Sequence, residues 1–264
     1  MYAFNYARAV TIAEAEKDFS VADDAIFLAG GQTIIPTLKQ RLSQPSDIID
    51  ICALDDLRVL ATEGKNIVVG AGVCHADVAA SVEIQDKIPA LAYLAQHIGD
   101  PQVRNRGTLG GSIANNDPSA DYPAAVVGLC ATVHTSKREI GADEFFTGMF
   151  ETALDPGEII TKVTFPIPGR AAYAKFPNPA SRYPIVGAMV AETTSGVRVA
   201  IAGAGPCVFR IPEMEAALSK SFTADALKNI AVSAGDLNED LHATAEYRAH
   251  LVGVMAQRAV ASIA

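Results

Sequence analysis

A glycine-rich polar stretch, RNRGTLGGSIANNDPSADYPAA at residues 104–125, most constrains what this chain can fold into. It combines Gly107, Gly110 and Gly111 with small polar residues and has almost no bulky apolar side chain. Such a segment is not expected in a core, because each buried polar group would need a hydrogen-bond partner. Glycines let backbone N–H groups approach a ligand closely, and successive N–H groups form a concavity that holds an anion. The stretch therefore predicts a loop that binds a polyanion, with a long polar surface loop as the alternative.

Composition limits the class of protein. The chain has 264 residues, of which 50% are hydrophobic, so it can bury a large core in one large domain or two smaller ones. With 30 acidic residues against 21 basic ones, the net charge of −9 argues against a nucleic-acid partner. No apolar run reaches the roughly 18 residues of a membrane span, and the N-terminus lacks the apolar core of a signal peptide. We therefore expect a cytoplasmic protein with no transmembrane segment.

The cysteines and histidines do not form a metal-binding pattern. Cys52, Cys74, Cys130 and Cys207 are far apart in sequence and make no CxxC pair, and the five histidines are equally scattered. Structural zinc and iron–sulfur sites need closely spaced ligands. We therefore predict no metal site in this chain, and no acid–base constellation points to a catalytic residue of its own.

Residues 1–55 are predicted to form a compact α/β unit. A Thr11–Glu14 capping box and hydrophobic periodicity predict helix 11–19, strand 26–28, helix 34–42 and strand 47–51. Between the first strand and the second helix lies the glycine turn AGGQT at 29–33. A strand, a glycine turn and a helix N-terminus make a phosphate-binding geometry, and Thr33 adds a hydroxyl donor. The turn matches neither GxGxxG nor GxxxxGK[ST], so an ordinary tight turn remains the alternative.

The rest of the chain divides at Pro166, Pro168 and Gly169, which indicate a domain boundary. Residues 56–168 are predicted to form strands 57–61, 67–69, 131–135 and 159–165 and helices 75–83, 87–98 and 123–128. Residues 170–264 are predicted to form antiparallel strands 171–176, 185–192 and 197–202 and helices 212–219, 223–233 and 244–262. Strands followed by helices are typical of an α+β domain.

The chain contains two glycine motifs, LAGGQTIIP at 28–36 and RNRGTLGGSIANNDPSADYP at 104–123. Together they resemble the FAD-binding medium subunits of molybdenum hydroxylases, the flavoproteins of the carbon monoxide dehydrogenase and xanthine dehydrogenase group. The segments YAKFPNPASRY at 173–183 and AEYRAHLVGVMAQRAV at 245–260 resemble the same subunits. In length and layout, carbon monoxide dehydrogenase medium subunits look closest.

The resemblance implies an α+β fold in two parts. A two-part α/β FAD-binding domain at 1–168, with subdomains at about 1–55 and 56–168, is followed by a C-terminal domain at 170–264. The second domain is expected to contain three antiparallel strands and a helical bundle.

The resemblance also implies which residues contact FAD. The first loop would wrap the pyrophosphate and the middle of the flavin, the second loop would lie on the other side of the diphosphate, and two isoleucines would contact the adenosine end. The implied FAD-contacting residues are Leu28, Ala29, Gly30, Gly31, Gln32, Thr33, Ile34, Ile35, Ile98, Thr108, Leu109, Gly110, Gly111, Ser112, Asp121, Ile160, Lys175 and Tyr183.

Three of these residues have a more specific implied role. Asp121 would accept hydrogen bonds from ribityl or ribose hydroxyls, with capping of helix 122–128 as the alternative. Lys175 would stabilise a reduced, anionic flavin, so its truncation should change the flavin more than fold stability; a solvated strand lysine is the alternative. Tyr183 would stack on the isoalloxazine or gate access to it, or be an ordinary core or surface tyrosine. Arg104 and Arg106 could pair with phosphates or with a partner subunit.

The implied function is electron transfer within a molybdenum hydroxylase complex. A large subunit would carry molybdopterin and oxidise the substrate, and a small subunit would carry two [2Fe–2S] clusters, in a dimer of heterotrimers. Electrons would pass through FAD to an external acceptor, and association with the inner face of a membrane is left open. The sequence leaves the substrate (carbon monoxide, a purine, an N-heterocycle or an aldehyde) and the acceptor open. The alternatives are a stand-alone FAD-dependent oxidoreductase of the same fold and a scaffold subunit that has lost FAD.

Overall fold

The first unit of the fold is a three-stranded parallel sheet with the strand order β1-β3-β2, seen in a computed structural model that describes residues 1–263. Its elements are β1 (Asn5–Arg8), α1 (Ile12–Val21), β2 (Ala25–Leu28), α2 (Ile34–Lys39) and β3 (Asp47–Asp50). Because the strands are parallel, the carboxyl ends of β2 and β3 lie at the same edge of the sheet. Ligands of open α/β sheets bind at this edge.

The start of α1 follows the predicted capping box. The Thr11 hydroxyl accepts a hydrogen bond from the Glu14 N–H at 3.1 Å, and the Glu14 carboxylate accepts one from the Val10 N–H at 2.8 Å. The prediction for α2 was too long, because this helix ends at Lys39 and Arg41 takes a left-handed φ of 59°. Leu42, the last residue of the predicted helix, therefore lies outside α2 and is 75% exposed.

The second unit is a five-stranded antiparallel sheet covered by short helices, with the strand order β4-β5-β10-β6-β7. Its elements are β4 (Leu60–Glu63), β5 (Asn66–Gly70), α3 (His75–Ala80), α4 (Val82–Lys87), α5 (Pro89–Gln96), α6 (Pro101–Arg104), α7 (Leu109–Asn115), α8 (Tyr122–Gly128), β6 (Thr132–Thr135), β7 (Glu139–Gly141), α9 (Ala142–Phe145), β8 (Phe146–Gly148), β9 (Glu151–Thr152) and β10 (Ile160–Pro166).

Two predicted boundaries in this unit are wrong. Strand 57–61 begins only at Leu60, because Asp55–Leu57 form a 3-10 turn whose last carbonyl accepts a hydrogen bond from the Gly72 N–H. Helix 75–83 is interrupted at Ser81, whose hydroxyl accepts a hydrogen bond from the Ile84 N–H and starts α4. Both departures depend on hydrogen bonds that compete locally with the predicted element.

The C-terminal part contains the predicted antiparallel strands, plus a short fourth one. Its elements are β11 (Arg170–Pro177), β12 (Pro184–Thr193), β13 (Gly196–Ala202), β14 (Phe209–Arg210), α10 (Pro212–Lys220) and α11 (Ala245–Ala261). Successive residues of β12 point to opposite faces, so Met189 and Ala191 pack in the core of the second unit, while Ala188 and Val190 pack beneath α10 and α11. The sheet is thus buried on both faces, and β12 and β13 pack against α8 of the second unit.

The predicted helix 223–233 is wrong, since only a 3-10 turn at Ala224–Leu227 forms there. The predicted helix 244–262 forms as α11, in which Leu251, Met255 and Val260 are buried, whereas Tyr247 is 43% exposed. Ala264, the last residue of the predicted C-terminal domain, lies outside the described residues. Within residues 1–263, no helix is both long and apolar enough to cross a membrane.

Candidate functional site

A cavity of about 560 Å³ lies where the first unit meets the second and the loop after β11 reaches over both. Its walls come from the turn after β2, the ends of β5 and β10, the region from α6 to α8, and Tyr183. The volume falls in the range of small-molecule and cofactor sites. The implied FAD-contacting residues that line it are Ala29, Gly30, Gly31, Gln32, Thr33, Ile34, Ile98, Thr108, Gly110, Gly111, Ser112, Asp121, Ile160 and Tyr183.

Four implied contacts do not line the cavity: Leu28, Ile35, Leu109 and Lys175. The first two flank Gly31, since a Cβ on that glycine would lie 2.6 Å from Ile35 Cδ1 and 3.3 Å from Leu28 Cδ1. Leu109 is fully buried in the core of the second unit. These three side chains support the wall from behind, and their direct contact with a ligand stays a prediction.

The turn after β2 presents a run of free backbone donors. In the part of the chain that the structure describes, no residue accepts a hydrogen bond from the N–H groups of Gly30, Gly31, Gln32 or Thr33. The Thr33 hydroxyl also makes no capping hydrogen bond. Gly31 has a φ of +71°, a left-handed conformation that favours glycine and turns successive N–H groups toward one concavity. This geometry favours an anion site over an ordinary tight turn.

The stretch at 104–125 contributes differently from its prediction. Gly110 and Gly111 lie inside helix α7 rather than in a loop, and the Thr108 hydroxyl caps that helix by accepting from the Gly111 N–H at 3.1 Å. The Leu109 and Gly110 N–H groups donate to Val73 O and Ala71 O, and Ser112 N–H donates to Thr108 O. The N–H groups of Leu109 to Ser112 are therefore engaged within the protein and do not form a free run of donors, and an anion-binding role for this stretch stays a prediction. Its side chains and glycine Cα atoms instead shape the wall.

The two glycine motifs are in direct contact. A Cβ on Gly30 would overlap the carbonyl oxygen of Arg106 and lie 2.7 Å from Gly107 Cα. A Cβ on Gly111 would lie 3.7 Å from Ala29 Cβ. Glycine at position 30 thus allows the backbones of the two motifs to approach closely. This contact sets the width of the cleft between them.

Asp121 lies at the entry to α8, yet its side chain makes no capping hydrogen bond, so the capping alternative is wrong. Asp121 Oδ1 accepts hydrogen bonds from Tyr173 Oη at 2.8 Å and Lys175 Nζ at 2.9 Å. Burial raises the pKa of Asp121, and the Lys175 ammonium opposes that rise. Since the carboxylate lines the cavity and both contacts use Oδ1, Oδ2 is left to accept from a ligand hydroxyl.

Lys175 is neither solvated nor part of the cavity wall. Its side chain is 7% exposed, and its ammonium also donates to His97 O at 2.8 Å. It therefore supports Asp121 from behind. Tyr183 is 48% exposed and lines the cavity from a turn that Asn178 organises, since Asn178 Oδ1 accepts from the Ala180 and Ser181 N–H groups. A stacking or gating role for Tyr183 stays a prediction.

The two arginines of the second motif have different surroundings. Arg104 Nη1 donates to Ile98 O and Gly99 O, both at 3.0 Å, and so holds the loop that presents Ile98. Arg106 lines the cavity, and within residues 1–263 its guanidinium has no hydrogen-bond or ion-pair partner. A second cation on the wall, Arg58, donates to Cys52 O. Arg106 is therefore the free cation next to the run of N–H donors.

Sequence reasoning missed several lining residues, among them Arg58, His75 and Glu158. A signal existed for His75, which begins a helix shortly after Gly70-Ala71-Gly72, again a strand, a glycine turn and a helix. Arg58 and Glu158 lie in segments without a local motif. They reach the cavity only because β5 and β10 pair, which a local pattern does not show.

Glu158 makes a testable contribution to acid stability. Burial alone would raise its pKa, but hydrogen bonds from Arg138, Thr135 and the Asp155 N–H outweigh burial and lower the pKa from 4.5 to about 2. A depressed carboxyl pKa stabilises the fold above the unfolded value, and this stability is lost as the pH falls from about 4.5 toward 2. We expect Glu158→Gln to lose about 2–3 kcal/mol at pH 7 and to flatten the acid dependence of urea unfolding. Exposed Glu63→Gln is the control, and an unchanged acid slope in Glu158→Gln would contradict this assignment.

Two family models together match nearly the whole chain. Residues 2–168 match the family described as the FAD binding domain in molybdopterin dehydrogenase, and residues 171–263 match the CO dehydrogenase flavoprotein C-terminal domain. The chain belongs to this family of FAD-binding proteins. Its cofactor is FAD, and its mixed fold of an FAD-binding domain and a C-terminal domain with antiparallel strands is that of the carbon monoxide dehydrogenase medium subunit.

Three relatives show how far the similarity extends. The nicotine 6-hydroxylase medium subunit of Paenarthrobacter nicotinovorans is 33% identical over 98% of this chain and 96% of its own. The carbon monoxide dehydrogenase medium chain of Hydrogenophaga pseudoflava is 32% identical over 91% and 89%. A structure of reconstituted CO dehydrogenase from Oligotropha carboxidovorans superimposes with a TM-score of 0.92 at 30% identity, over 99% of this chain and 98% of that one.

The residues present fit FAD. The diphosphate needs donors, which the free N–H groups of Gly30–Thr33, the Thr33 hydroxyl and Arg106 would supply. The ribityl and ribose hydroxyls need an acceptor, which Asp121 Oδ2 would supply, and the apolar ring systems would lie against the aliphatic wall that includes Ile98 and Ile160. The cleft fixed by Gly30 and Gly107 would be filled by a Cβ at position 30.

Proposed function

We propose that this chain is the electron-transfer flavoprotein subunit of a molybdenum hydroxylase complex. The observation that carries the proposal is the run of free N–H donors at Gly30–Thr33 on the cavity, in a chain of this family. Bound FAD supplies redox chemistry in which electrons are taken one at a time and released as a pair. The chain's own residues hold the diphosphate, orient the hydroxyls at Asp121 and exclude water from the covered part of the cofactor.

The proposed partners are a large subunit with molybdopterin, where the substrate is oxidised, and a small subunit with two [2Fe–2S] clusters, assembled as a dimer of heterotrimers in the cytoplasm. The relatives named above are called medium subunit or medium chain of complexes that act on nicotine or carbon monoxide. Their nearly equal identities to this chain, 33% and 32%, support the view that substrate choice lies on the large subunit.

The experiment uses the complex purified with this chain in place. We expect one FAD per chain, bleaching of both cluster and flavin absorbance on adding the substrate of the large subunit, and loss of acceptor reduction but not cluster reduction when FAD is removed. A single FAD-loaded chain that reduces its flavin with a small substrate would instead favour a stand-alone oxidoreductase. A folded native complex without FAD would contradict the proposal and favour a scaffold role.

The two neighbouring arginines give a matched pair of variants. Arg106→Gln is expected to weaken FAD binding about tenfold and to reduce the salt dependence of the dissociation constant, because it removes a cation beside the diphosphate. Arg104→Gln is expected to lower the free energy of unfolding by about 1–3 kcal/mol, because Ile98 O loses its side-chain donor and Gly99 O keeps only the longer hydrogen bond from Arg182. Calorimetric titration with FAD at two salt concentrations and urea unfolding check both. An Arg106→Gln chain with the wild-type salt dependence would contradict the placement of the diphosphate.

A further inference from the structure

His75 is a buried polar residue on the cavity wall without a hydrogen-bond partner for its ring. Its side chain lines the cavity, although the residue is only 4% exposed. Its Nδ1 is fully buried, and no atom of residues 1–263 forms a hydrogen bond with it. An unsatisfied buried polar atom in a native fold calls for an explanation, such as a ligand or an ordered water.

Gly107 lies against both the backbone and the ring of His75. The His75 N–H donates to Gly107 O at 3.0 Å, and a Cβ on Gly107 would lie 2.6 Å from His75 Nε2. Nε2 therefore lies against Gly107 Cα, and Gly107 in turn touches Gly30, where the run of free N–H donors begins. This places the Nε2 side of the imidazole next to the proposed diphosphate position.

Tyr122 lies on the other side of the ring. The two ring centroids are 5.3 Å apart, and the Tyr122 hydroxyl is likewise fully buried with no partner within residues 1–263. A hydroxyl that lacks an acceptor and a ring nitrogen that lacks a donor can satisfy each other through one ordered water. When Nδ1 accepts from that water and the Tyr122 hydroxyl donates to it, the single ring proton is on Nε2.

The charge of the ring agrees with this assignment. Burial, assisted by the nearby Arg104 cation, lowers the pKa of His75 to about 4, so the imidazole is neutral near pH 7. A neutral imidazole has one N–H donor, and the tautomer is set by the hydrogen bond of the other nitrogen. The ring can thus donate to an anionic oxygen without adding a buried charge.

We propose that His75, fixed in its Nε2–H tautomer by Tyr122, is an additional FAD-binding residue that donates a hydrogen bond to a diphosphate oxygen beside Gly107. The inference rests on the proposed function, since it takes FAD as the ligand of the cavity. It adds a neutral donor from α3 to the backbone donors of the turn after β2 and to Arg106.

The test compares two amide variants of the full chain, His75→Gln and His75→Asn. The Gln amide nitrogen reaches about the position of Nε2, whereas the Asn amide nitrogen reaches that of Nδ1. We expect His75→Gln to bind FAD and ADP within about threefold of wild type and His75→Asn to bind both about tenfold more weakly, the loss of one hydrogen bond to a charged group. The exposed His242→Gln variant is the control for a histidine change outside the cavity.

A second measurement does not depend on cofactor binding. Long-range ¹H–¹⁵N correlation spectra of ¹⁵N-histidine-labelled, FAD-free chain are expected to show His75 as the Nε2–H tautomer, and Tyr122→Phe is expected to perturb that signal. Equal affinities of His75→Asn and wild type, or an Nδ1–H tautomer, would overturn this inference and leave the proposed function intact. A folded wild-type chain that binds no FAD would overturn both.

Discussion

Gly30→Val is expected to abolish detectable FAD binding, with at least a hundredfold loss of affinity. The added Cβ would overlap Arg106 O and lie 2.7 Å from Gly107 Cα, and these are backbone atoms that cannot rotate away. The turn after β2 must then move from the second motif, which displaces the N–H donors of Gly30–Thr33 from one concavity. A misplacement of about 1 Å at a site with several hydrogen bonds costs on the order of a hundredfold.

Gly141→Ala is the matched control for this variant, because a Cβ there meets nothing within 4 Å and the residue has an extended backbone. It should bind FAD as wild type does. Circular dichroism and urea unfolding establish that both variants are folded, and equilibrium titration with FAD measures the affinity. A folded Gly30→Val chain with wild-type affinity would show that the two glycine motifs do not need to touch.

Lys175→Met is expected to have the largest effect on stability. The Lys175 and Asp121 side chains are 7% and 3% exposed, and the ammonium joins β11, the start of α8 and the His97 carbonyl. Removing one partner of a buried ion pair leaves an uncompensated charge and costs about 3–5 kcal/mol. The family resemblance implied that truncating Lys175 would change the redox behaviour of the flavin more than the stability of the fold. This geometry predicts the larger effect on stability.

The pH dependence of Lys175→Met has a defined sign. Burial raises the pKa of Asp121 above its unfolded value, and loss of the ammonium raises it further. A carboxyl whose pKa is raised in the folded state destabilises the fold at high pH. Below the pKa of the unfolded state it has no effect, because the carboxyl is then protonated in both the folded and the unfolded chain. The deficit of the variant should therefore be larger at high pH and shrink as the pH falls toward the unfolded pKa of the carboxyl, about 4.

The control for this ion pair is an exposed one of similar length. Lys228 and Asp225 lie 2.7 Å apart with side chains 61% and 79% exposed, so Lys228→Met should leave unfolding unchanged within error. The double variant Asp121→Asn/Lys175→Met should regain most of the lost free energy of unfolding, because it also removes the unpaired carboxylate. Equal effects of Lys175→Met and Lys228→Met in urea unfolding would refute the buried pair.

Sequence patterns predicted the elements whose causes are local. The capping box placed the start of α1, and the apolar segments at 185–192 and 197–202 placed β12 and β13. The long polar stretch appeared to be a loop because glycines disfavour helices. It forms α7 because Thr108 caps the helix and buried Leu109 and Ile113 anchor it in the core.

Other features depend on contacts between distant residues. The Leu109 and Gly110 N–H groups donate to Val73 O and Ala71 O, so the run of successive free donors is the one at Gly30–Thr33 in the first motif. The burial of Lys175 follows from the packing of β11 against α5 and from the ion pair with Asp121 at the start of α8, which no local pattern records. The motifs therefore located the cavity. Only the tertiary structure shows which of its groups are free to contact a ligand and which are engaged within the protein.

Hydrogen–deuterium exchange of the full chain, with and without FAD, tests most directly where the diphosphate is held. In the FAD-free chain, the N–H groups of Gly30–Thr33 have no acceptor and should exchange fast, whereas those of Leu109–Ser112 should exchange slowly. FAD should protect Gly30–Thr33 strongly and change Leu109–Ser112 little. Protection that appears only at Leu109–Ser112, with Gly30–Thr33 still exchanging fast in the FAD-loaded chain, would contradict the account.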